Sequence, residues 1–362
     1  MRVGVHKIRM DNPGDVSDLR RQIEAGSINP HEIVAMIGKT EGNGGANDFT
    51  RGFATQSLSL LLAPYLDLSP EAVTSRIAFV WSGGTEGVLS PHTTVFTRSE
   101  AEPAGAKRLA IGIAMTRDLL PEEVGTMVEV REVAKAVRSA LDEAGIDDPG
   151  DVHYVQVKGP LLTPASVADA QRRGVKLVTT DPNGSKPYAR GATALGVAVA
   201  LGEVDEAHLS DDAIARRMDL YSSVANTSAG GELRNCEILL FGNSAKAGGD
   251  LRIGHAVLRD VVDRDAVLTA IANAAGENAA ADGALERVKA IFAKAEAPVG
   301  GMLRGCRTTM LSDADIHYER HARAALGAVI TSVTGDAKIF VSGGTEHQCK
   351  PGEAPIAAIV QV

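Results

Sequence analysis

Short apolar runs alternate with helical patterns along the whole chain, and this alternation recurs three times. In the first third, Val3, Val5 and Ile8 alternate with polar residues, which is typical of a strand with one buried face. Further apolar runs and helical spacings predict strands at 33–37, 77–81 and 93–96, a helix over 15–24, and a second helix from Asp48, whose carboxylate can cap it.

The rest of the chain repeats this plan with longer connections. The second stretch predicts strands at 109–115, 152–157 and 237–241 and helices over 128–144 and from Pro187. The third predicts helices over 266–274 and around 323–327 and strands at 288–293, 337–341 and 356–360. Small, polar segments at 99–106 and 244–250 are typical of linkers. We therefore predict an α/β (α+β) fold of three repeat units, at 1–104, 112–249 and 255–362.

One five-residue stretch, Ser-Gly-Gly-Thr-Glu, occurs at 82–86 and again at 342–346, each time after an apolar run. A buried strand that stops at a serine and two glycines exposes a hydroxyl beside backbone N–H groups that no side chain covers. The two copies therefore indicate an internal repeat and a place that can hold a polar ligand.

A lysine, an arginine and a serine follow one another in the same order in each unit. The lysine follows an apolar strand, the arginine lies in the first turns of a helix, and the serine lies in a segment of small residues. The three sets are Lys39, Arg51 and Ser82; Lys158, Arg190 and Ser228; and Lys294, Arg323 and Ser342. The separations within the sets differ, so the connecting loops have diverged while the strand and helix ends stayed alike.

Three similar units in one chain can pack about a pseudo-threefold axis, as identical subunits do in a symmetric trimer. These nine side chains would then converge on one central active site. A serine beside a desolvated lysine can act as nucleophile and base, and the arginine forks suit carbonyl oxygens with partial negative charge. The pattern predicts a small, planar ligand, rich in carbonyl oxygens and itself near threefold. A non-catalytic binder of a small planar anion would need only the arginines, and that alternative stays open.

Composition and charge argue against several classes of partner. The 362 residues carry 37 Lys and Arg against 46 Asp and Glu, a net charge of −9, so we expect neither nucleic acid nor an anionic membrane as a partner. Aromatic residues make up only 4%, which disfavours base-stacking platforms. No signal-peptide core and no run of membrane-spanning length is evident. Because Cys236, Cys306 and Cys349 are few and scattered, we expect a cytoplasmic protein without a disulfide framework.

Three other patterns have simpler interpretations. Gly38-Lys39-Thr40 is not a phosphate loop, because position 33 holds Ile33 where the motif needs its first glycine. His317 and His321 share one helical face, but a solvated face is favoured over a metal site because no third ligand is evident. Glu41 and Glu86 could form an acid pair, although capping or pairing with nearby cations is at least as well supported.

Five longer segments carry a family resemblance that covers essentially the whole chain. They are residues 38–44, 82–92, 155–164, 309–313 and 342–348. They resemble the cyanuric acid hydrolase/barbiturase family of ring-opening amidohydrolases. The resemblance implies three similar α/β units around a central active site, and hydrolysis of a cyclic amide without a catalytic metal.

The resemblance also implies roles, transferred motif by motif. Lys158 would be the base and Ser228 the nucleophile, with the supporting pairs Lys39–Ser82 and Lys294–Ser342. Three arginines would bind the ring oxygens: Arg51, Arg190 and Arg323. Backbone N–H groups beside three small residues would bind substrate and contribute to an oxyanion hole: Gly83, Ala229 and Gly343.

Two further expectations follow from the resemblance. A structural divalent cation such as Mg²⁺ would be held by Glu296 and, mainly through backbone oxygens, by one loop of the third unit: Thr345, Gln348, Cys349, Lys350 and Glu353. The protein would be a homotetramer in s-triazine degradation. It would open cyanuric acid to carboxybiuret, which loses carbon dioxide to give biuret. The alternative substrate within the family is barbituric acid, which opens to ureidomalonate.

Overall fold

The computed structural model describes residues 1–45, 47–276 and 283–362, and its main feature is three four-stranded sheets. The strands of the first sheet are β1 (Arg2–Arg9), β2 (Ile33–Thr40), β3 (Ala78–Gly83) and β4 (His92–Ser99). Those of the second are β5 (Arg108–Met115), β6 (Val152–Pro160), β7 (Ala225–Gly230) and β8 (Glu237–Ser244). In the third part of the chain, β11 (Met302–Leu303) and β12 (Cys306–Arg307) form a small hairpin beside the sheet of β9 (Leu251–Leu258), β10 (Val288–Ala295), β13 (Phe340–Gly343) and β14 (Ala354–Gln361).

The three large sheets share one topology. In each, the first strand pairs antiparallel with the last, the last pairs antiparallel with the second, and the second pairs parallel with the third. The resulting orders are β1-β4-β2-β3, β5-β8-β6-β7 and β9-β14-β10-β13. Parallel neighbours need a long crossover, and each crossover here carries a helix. The predicted α/β fold of three similar units is confirmed.

Eight α-helices of the described residues cover the sheets. They are α1 (Ser17–Glu24), α2 (Thr50–Leu66), α3 (Pro70–Arg76), α4 (Met127–Ala144), α5 (Pro164–Arg173), α6 (Lys186–Leu201), α7 (Arg264–Ala275) and α8 (Tyr318–Thr334). Local sequence explains their ends: the Thr126 side chain accepts the Val128 N–H at the start of α4, and Gly145 ends that helix in the left-handed conformation. No helix in the described part of the chain is both long and apolar enough to cross a membrane.

Each sheet presents one face to its own helices and the other to the centre of the molecule. On β6, Val155 and Val157 belong to the cluster formed with the helices, whereas Tyr154 belongs to the central cluster. The central cluster also contains a phenylalanine from each sheet, Phe96, Phe241 and Phe292, with ring centroids 4.9 to 6.3 Å apart. The alternation of side chains along a strand therefore directs every second residue of β2, β6 and β10 to a shared interior.

Some predicted boundaries differ from the observed elements. The unit limits at 112 and 255 fall inside β5 and β9, which begin at Arg108 and Leu251. Strand β7 was not expected, because its sequence is small and polar rather than apolar, and β9 was not expected either. Helix α2 begins at Thr50, and Asp48 accepts the Thr50 N–H at 3.0 Å from outside the helix.

Candidate active site

In each sheet the lysine of one strand lies directly opposite the serine of its parallel neighbour. The paired positions are Lys39 and Ser82 on β2 and β3, Lys158 and Ser228 on β6 and β7, and Lys294 and Ser342 on β10 and β13. Each lysine lies an even number of residues along its strand from a residue of the central cluster, so its side chain is on the same face of the sheet. The lysines therefore continue the inward-facing side chains beyond the aromatic core. The fold thereby places three lysine–serine pairs at equivalent positions around the centre.

Each lysine also reaches into a neighbouring unit. The Nζ atoms of Lys39, Lys158 and Lys294 donate to the carbonyl oxygens of Val341, Trp81 and Thr227, at 2.7, 3.5 and 2.5 Å. Each acceptor immediately precedes the serine of that neighbouring unit. The contacts run from the first unit to the third, from the second to the first and from the third to the second, which closes a ring.

Burial makes the three ammonium groups easier to deprotonate. All three lysines are at most 2% exposed. Burial, reinforced by Arg323, lowers the pKa of Lys39 to about 7, and burial lowers the pKa of Lys294 well below its ordinary value, with Arg190 acting in the same direction. Burial and Arg51 also lower the pKa of Lys158, although Glu232 opposes them. Burial therefore favours the neutral amine that a general base requires at all three lysines, and for Lys39 this form is accessible near pH 7.

The three serines differ in their hydrogen bonds. Ser82 Oγ accepts from Lys39 Nζ at 3.0 Å, and Ser342 Oγ donates to Asn226 Oδ1 at 3.2 Å. Ser228 Oγ is buried and has no hydrogen-bond partner among the described residues. Among the described residues, it is the one of the three serine hydroxyls that makes no hydrogen bond within the protein.

The three arginines form a second ring of contacts between units. Arg190 donates from Nε and Nη2 to both carboxylate oxygens of Glu346, at 2.7 Å each. Arg323 binds both oxygens of Glu86, with Nε at 2.9 Å. Arg51 lies 3.4 Å from Glu232. These pairs run from the first unit to the second, from the second to the third and from the third to the first, which is opposite to the direction of the lysine contacts.

Glu232 is a site residue that the sequence interpretation missed. It lies four residues after Ser228, as Glu86 and Glu346 lie four residues after Ser82 and Ser342. The segment Ser-Ala-Gly-Gly-Glu at 228–232 is therefore the third copy of Ser-Gly-Gly-Thr-Glu. The copies share the serine at the first position, the glycine at the third and the glutamate at the fifth, and this spacing was the available signal. Burial opposes ionisation of Glu232, but Lys158 and Arg51 hold its pKa down at about 2.

Side chains from all three units line a cavity of about 440 Å³ beside this cluster. Arg190 and Arg323 reach it from the second and third units, and residues 43–45 reach it from the first. Glu319 of α8 lies between the two arginines, 3.5 Å from Arg190 and 3.9 Å from Arg323. Burial would raise the pKa of Glu319, but these two guanidinium groups lower it, so the cavity wall carries both signs of charge.

The small residues after the three serines leave room for charged groups. A Cβ on Gly343 would lie 2.9 Å from Arg323 Nη1, and one on Gly83 would overlap the Asp48 carboxylate. The equivalent position in the second unit holds Ala229, whose neighbourhood tolerates a methyl group. The missing side chains at Gly83 and Gly343 therefore let Asp48 and Arg323 pack directly against the backbone that follows the serines.

The loop expected to hold a structural cation connects the second and third units. Gln348 Oε1 accepts the Thr227 N–H at 2.7 Å, and the Cys349 N–H donates to the Ser222 carbonyl at 3.0 Å. The Gln348 side-chain oxygen is thus already used within the protein. Lys350 is exposed, and its N–H donates to the Glu353 carboxylate at 3.4 Å.

Glu296, the expected carboxylate ligand, is half-buried next to this loop. The Thr345 hydroxyl donates to its Oε2. Burial raises the pKa of Glu296, and Glu346 and Glu319 add to that shift. Glu296 and Thr345 also line a cavity of about 230 Å³. A cation would relieve this accumulation of negative charge, so the residues present fit a hard, oxygen-liganded ion. The described residues contain no cluster of three or more His, Cys, Asp or Glu side chains that could hold a metal.

The remaining candidates make contacts that differ from the roles considered for them. His321 pairs with Asp313 at 3.0 Å, and His317 caps α8 by accepting the Glu319 N–H at 3.4 Å. Glu86 pairs with Arg323, as the sequence interpretation allowed.

Comparison with known proteins gives matches over the full length. Residues 4–361 match the family described as amidohydrolase ring-opening protein. A cyclic amide hydrolase of Azorhizobium caulinodans is 65% identical and covers 100% of both chains. A cyanuric acid amidohydrolase of Bradyrhizobium diazoefficiens is 53% identical over 99% of this chain and 98% of its own.

Two solved structures have the same fold. One cyanuric acid hydrolase superposes with a TM-score of 0.94 at 47% identity and covers 100% of this chain and 99% of its own. A cyanuric acid hydrolase from A. caulinodans superposes with a TM-score of 0.91 at 46% identity, covering 99% of each chain.

Proposed function

The chain belongs to the family of amidohydrolase ring-opening proteins and is a cyclic amide hydrolase, and from this premise we propose that it opens the ring of cyanuric acid by hydrolysis. The observation that carries the choice of substrate is the threefold repetition of lysine, serine and arginine around one centre. Cyanuric acid is planar and presents three equivalent carbonyl oxygens. Barbituric acid replaces one ring N–H by CH₂ and matches this symmetry less well.

We assign the chemistry to the second unit. Lys158, made less basic by burial, takes the proton of Ser228, and the serine oxygen attacks a ring carbonyl carbon. The ring C–N bond breaks, and the leaving nitrogen takes the proton from Lys158. Water then hydrolyses the carbamoyl ester to release carboxybiuret and restore the serine, and carboxybiuret loses carbon dioxide to give biuret. The choice of Ser228 over Ser82 and Ser342 follows the family resemblance, and the register that places Ser228 directly opposite Lys158 is compatible with it.

All three units supply binding groups in this proposal. Arg51, Arg190 and Arg323 hold the ring oxygens, oriented by their carboxylate partners. Backbone N–H groups beside Gly83, Ala229 and Gly343 stabilise the negative charge that develops on the attacked carbonyl oxygen. Lys39 with Ser82 and Lys294 with Ser342 form the remaining walls of the pocket.

We also propose that a divalent cation such as Mg²⁺ has a structural role outside the reaction. Glu296 would hold it together with backbone oxygens of the loop from Thr345 through Gln348, Cys349 and Lys350 to Glu353. The cation would offset the negative charge of the half-buried Glu296 and fix a loop that joins two units. A homotetramer remains a prediction of the family resemblance.

Incubation of the purified protein with cyanuric acid and with barbituric acid, following ring absorbance and biuret, tests the proposal. We expect turnover of cyanuric acid. Turnover of barbituric acid alone would assign the protein to the barbiturase reaction. Lys158→Ala distinguishes an enzyme from a non-catalytic anion binder, because a binder would keep its affinity whereas the enzyme would lose its rate.

A further inference from the structure

The three lysine–serine pairs differ in the residue on the other side of the lysine. Strand β6 lies between β7 and β8, and Lys158 is opposite Ser228 on one side and opposite Glu237 on the other. In the first unit, the position opposite Lys39 on β4 is His92. In the third, β14 pairs through Ile356 with Ala293, which brings Pro355 next to Lys294 in the register. A carboxylate flanks only the second of these three lysines.

Burial and polar contacts make Glu237 unusual. The residue is 8% exposed, and its Oε2 is buried without a hydrogen-bond partner among the described residues. Glu237 lies two and four residues before Leu239 and Phe241, which belong to the central cluster. Because side chains alternate along a strand, the Glu237 side chain lies on the same face of the sheet as that of Lys158. A buried, unpartnered carboxylate is costly, and its retention beside a buried lysine calls for a role.

Glu237 also borders a cavity of about 450 Å³ between the first and second units. The cavity is lined by α2, α3 and β3 of the first unit and by Glu232, Leu233 and Glu237 of the second. Glu232, whose side chain is 36% exposed, lies 3.3 Å from Lys158 Nζ. Three carboxylates, Glu71, Glu232 and Glu237, thus border this open cavity, and one of them, Glu232, contacts Lys158.

We propose that Glu237 is the proton-accepting partner of Lys158 and that this cavity carries the exchanged proton to solvent. The inference rests on the proposed function, which makes Lys158 the base. The proton leaves the Lys158 ammonium through an intervening water and arrives on the Glu237 carboxylate, giving a neutral amine and a neutral acid without change of total charge. The neutral amine then takes the Ser228 proton, and Glu237 releases its own proton through the cavity.

The electrostatics of Glu237 suit this role. Burial raises its pKa to about 7, with Lys158 opposing the shift and Glu232 adding to it. The charged and titratable groups around Glu237 and its cavity are Lys158 on β6, Cys236 on its own chain segment, Glu232 before β8, Arg51 on α2 and Glu71 on α3. A carboxyl group whose pKa lies near the pH of the solution can both accept and release a proton at useful rates.

The test is Glu237→Gln, assayed with cyanuric acid as a function of pH after turnover by the unmodified enzyme has been established. We expect kcat to fall about ten- to a hundredfold, with KM changing by less than about threefold. The Glu237 carboxylate raises the pKa of Lys158. Removal of this carboxylate lowers the pKa of Lys158, so the fall of kcat on the acidic side of the pH profile should move to lower pH. Glu237→Asp should restore part of kcat and return the limb towards its original position.

Glu129→Gln is the matched control. Glu129 is a buried carboxyl of the same unit whose pKa burial raises to about 8, but its contacts are the Gly125 N–H and Cys236. We expect its pH profile to be unchanged. An unaltered profile for Glu237→Gln, or a lower kcat without displacement of the acidic limb, overturns the inference while the proposed function stands. Absence of turnover in the unmodified enzyme would instead refute the proposed function.

Discussion

The Arg190 guanidinium donates two hydrogen bonds of 2.7 Å to the Glu346 carboxylate, from the second unit of the chain to the third. The two side chains are 9% and 16% exposed. Equivalent pairs join Arg323 to Glu86 and Arg51 to Glu232. Positioning of the arginines and attachment of the units to one another therefore depend on the same contacts.

Glu346→Gln should lower the free energy of unfolding by about 3 kcal/mol and raise KM for cyanuric acid, because a buried guanidinium loses its anion and its fixed orientation. Urea denaturation and initial rates measure the two effects. The control is Glu206→Gln, which breaks an arginine–carboxylate contact of the same 2.7 Å length whose side chains are 61% and 44% exposed. Its expected loss is below about 1 kcal/mol. If both variants lost the same free energy of unfolding, burial of the arginine–carboxylate pair would not determine its contribution to stability.

Ser228→Ala should abolish ring opening, whereas Ser82→Ala should leave a measurable fraction of it. Only the first substitution removes the proposed nucleophile, and a nucleophile that acts with its base accounts for about a thousandfold or more of the rate. Biuret formation under identical conditions measures both. Equal residual rates would overturn the assignment of the nucleophile.

Lys39 should make stability rise with pH above neutrality. Its pKa is about 7 in the folded protein, against an ordinary 10.5. The unfolded chain therefore binds more protons in this interval, and raising the pH favours the folded state. From pH 7.5 to 9 the stability of the unmodified protein relative to Lys39→Met should increase by about 1.4 kcal/mol per pH unit at most. Urea titrations measure the difference.

The control for that measurement is Lys135→Met, which alters an exposed lysine of α4. Its difference from the unmodified protein should stay constant over the same interval, because water surrounds the ammonium before and after unfolding. A constant difference for Lys39→Met as well would show that the buried lysine keeps its proton on folding.

Removal of divalent cations should lower the midpoint of thermal unfolding, and added Mg²⁺ should restore it. At a hundred times its dissociation constant, an ion that binds only the folded chain stabilises it by about 2.7 kcal/mol. Glu296→Gln should abolish the response, since Glu296 is the proposed carboxylate ligand. A midpoint that does not respond to chelation or to Mg²⁺ in the unmodified protein argues against the cation.

Sequence patterns predicted the units and the order of lysine, arginine and serine, because strand ends and helix starts are encoded locally. They did not predict β7, since Ala225–Gly230 is small and polar and is buried by its neighbours rather than by its own composition. They also missed Glu232, because its partners Arg51 and Lys158 lie far away in the chain and belong to two different units. The spacing shared with Glu86 and Glu346 marks Glu232 as a repeat position, but the contacts it makes are set by packing.

The pairing of each lysine with a different strand neighbour, His92, Glu237 or Pro355, has a consequence for how such a site can evolve. In an assembly of three identical chains, every substitution would appear three times, and a carboxylate introduced beside one lysine would be introduced beside all of them. A single chain that contains all three units removes that constraint. One unit can then specialise in the reaction while the other two continue to recognise a symmetrical molecule.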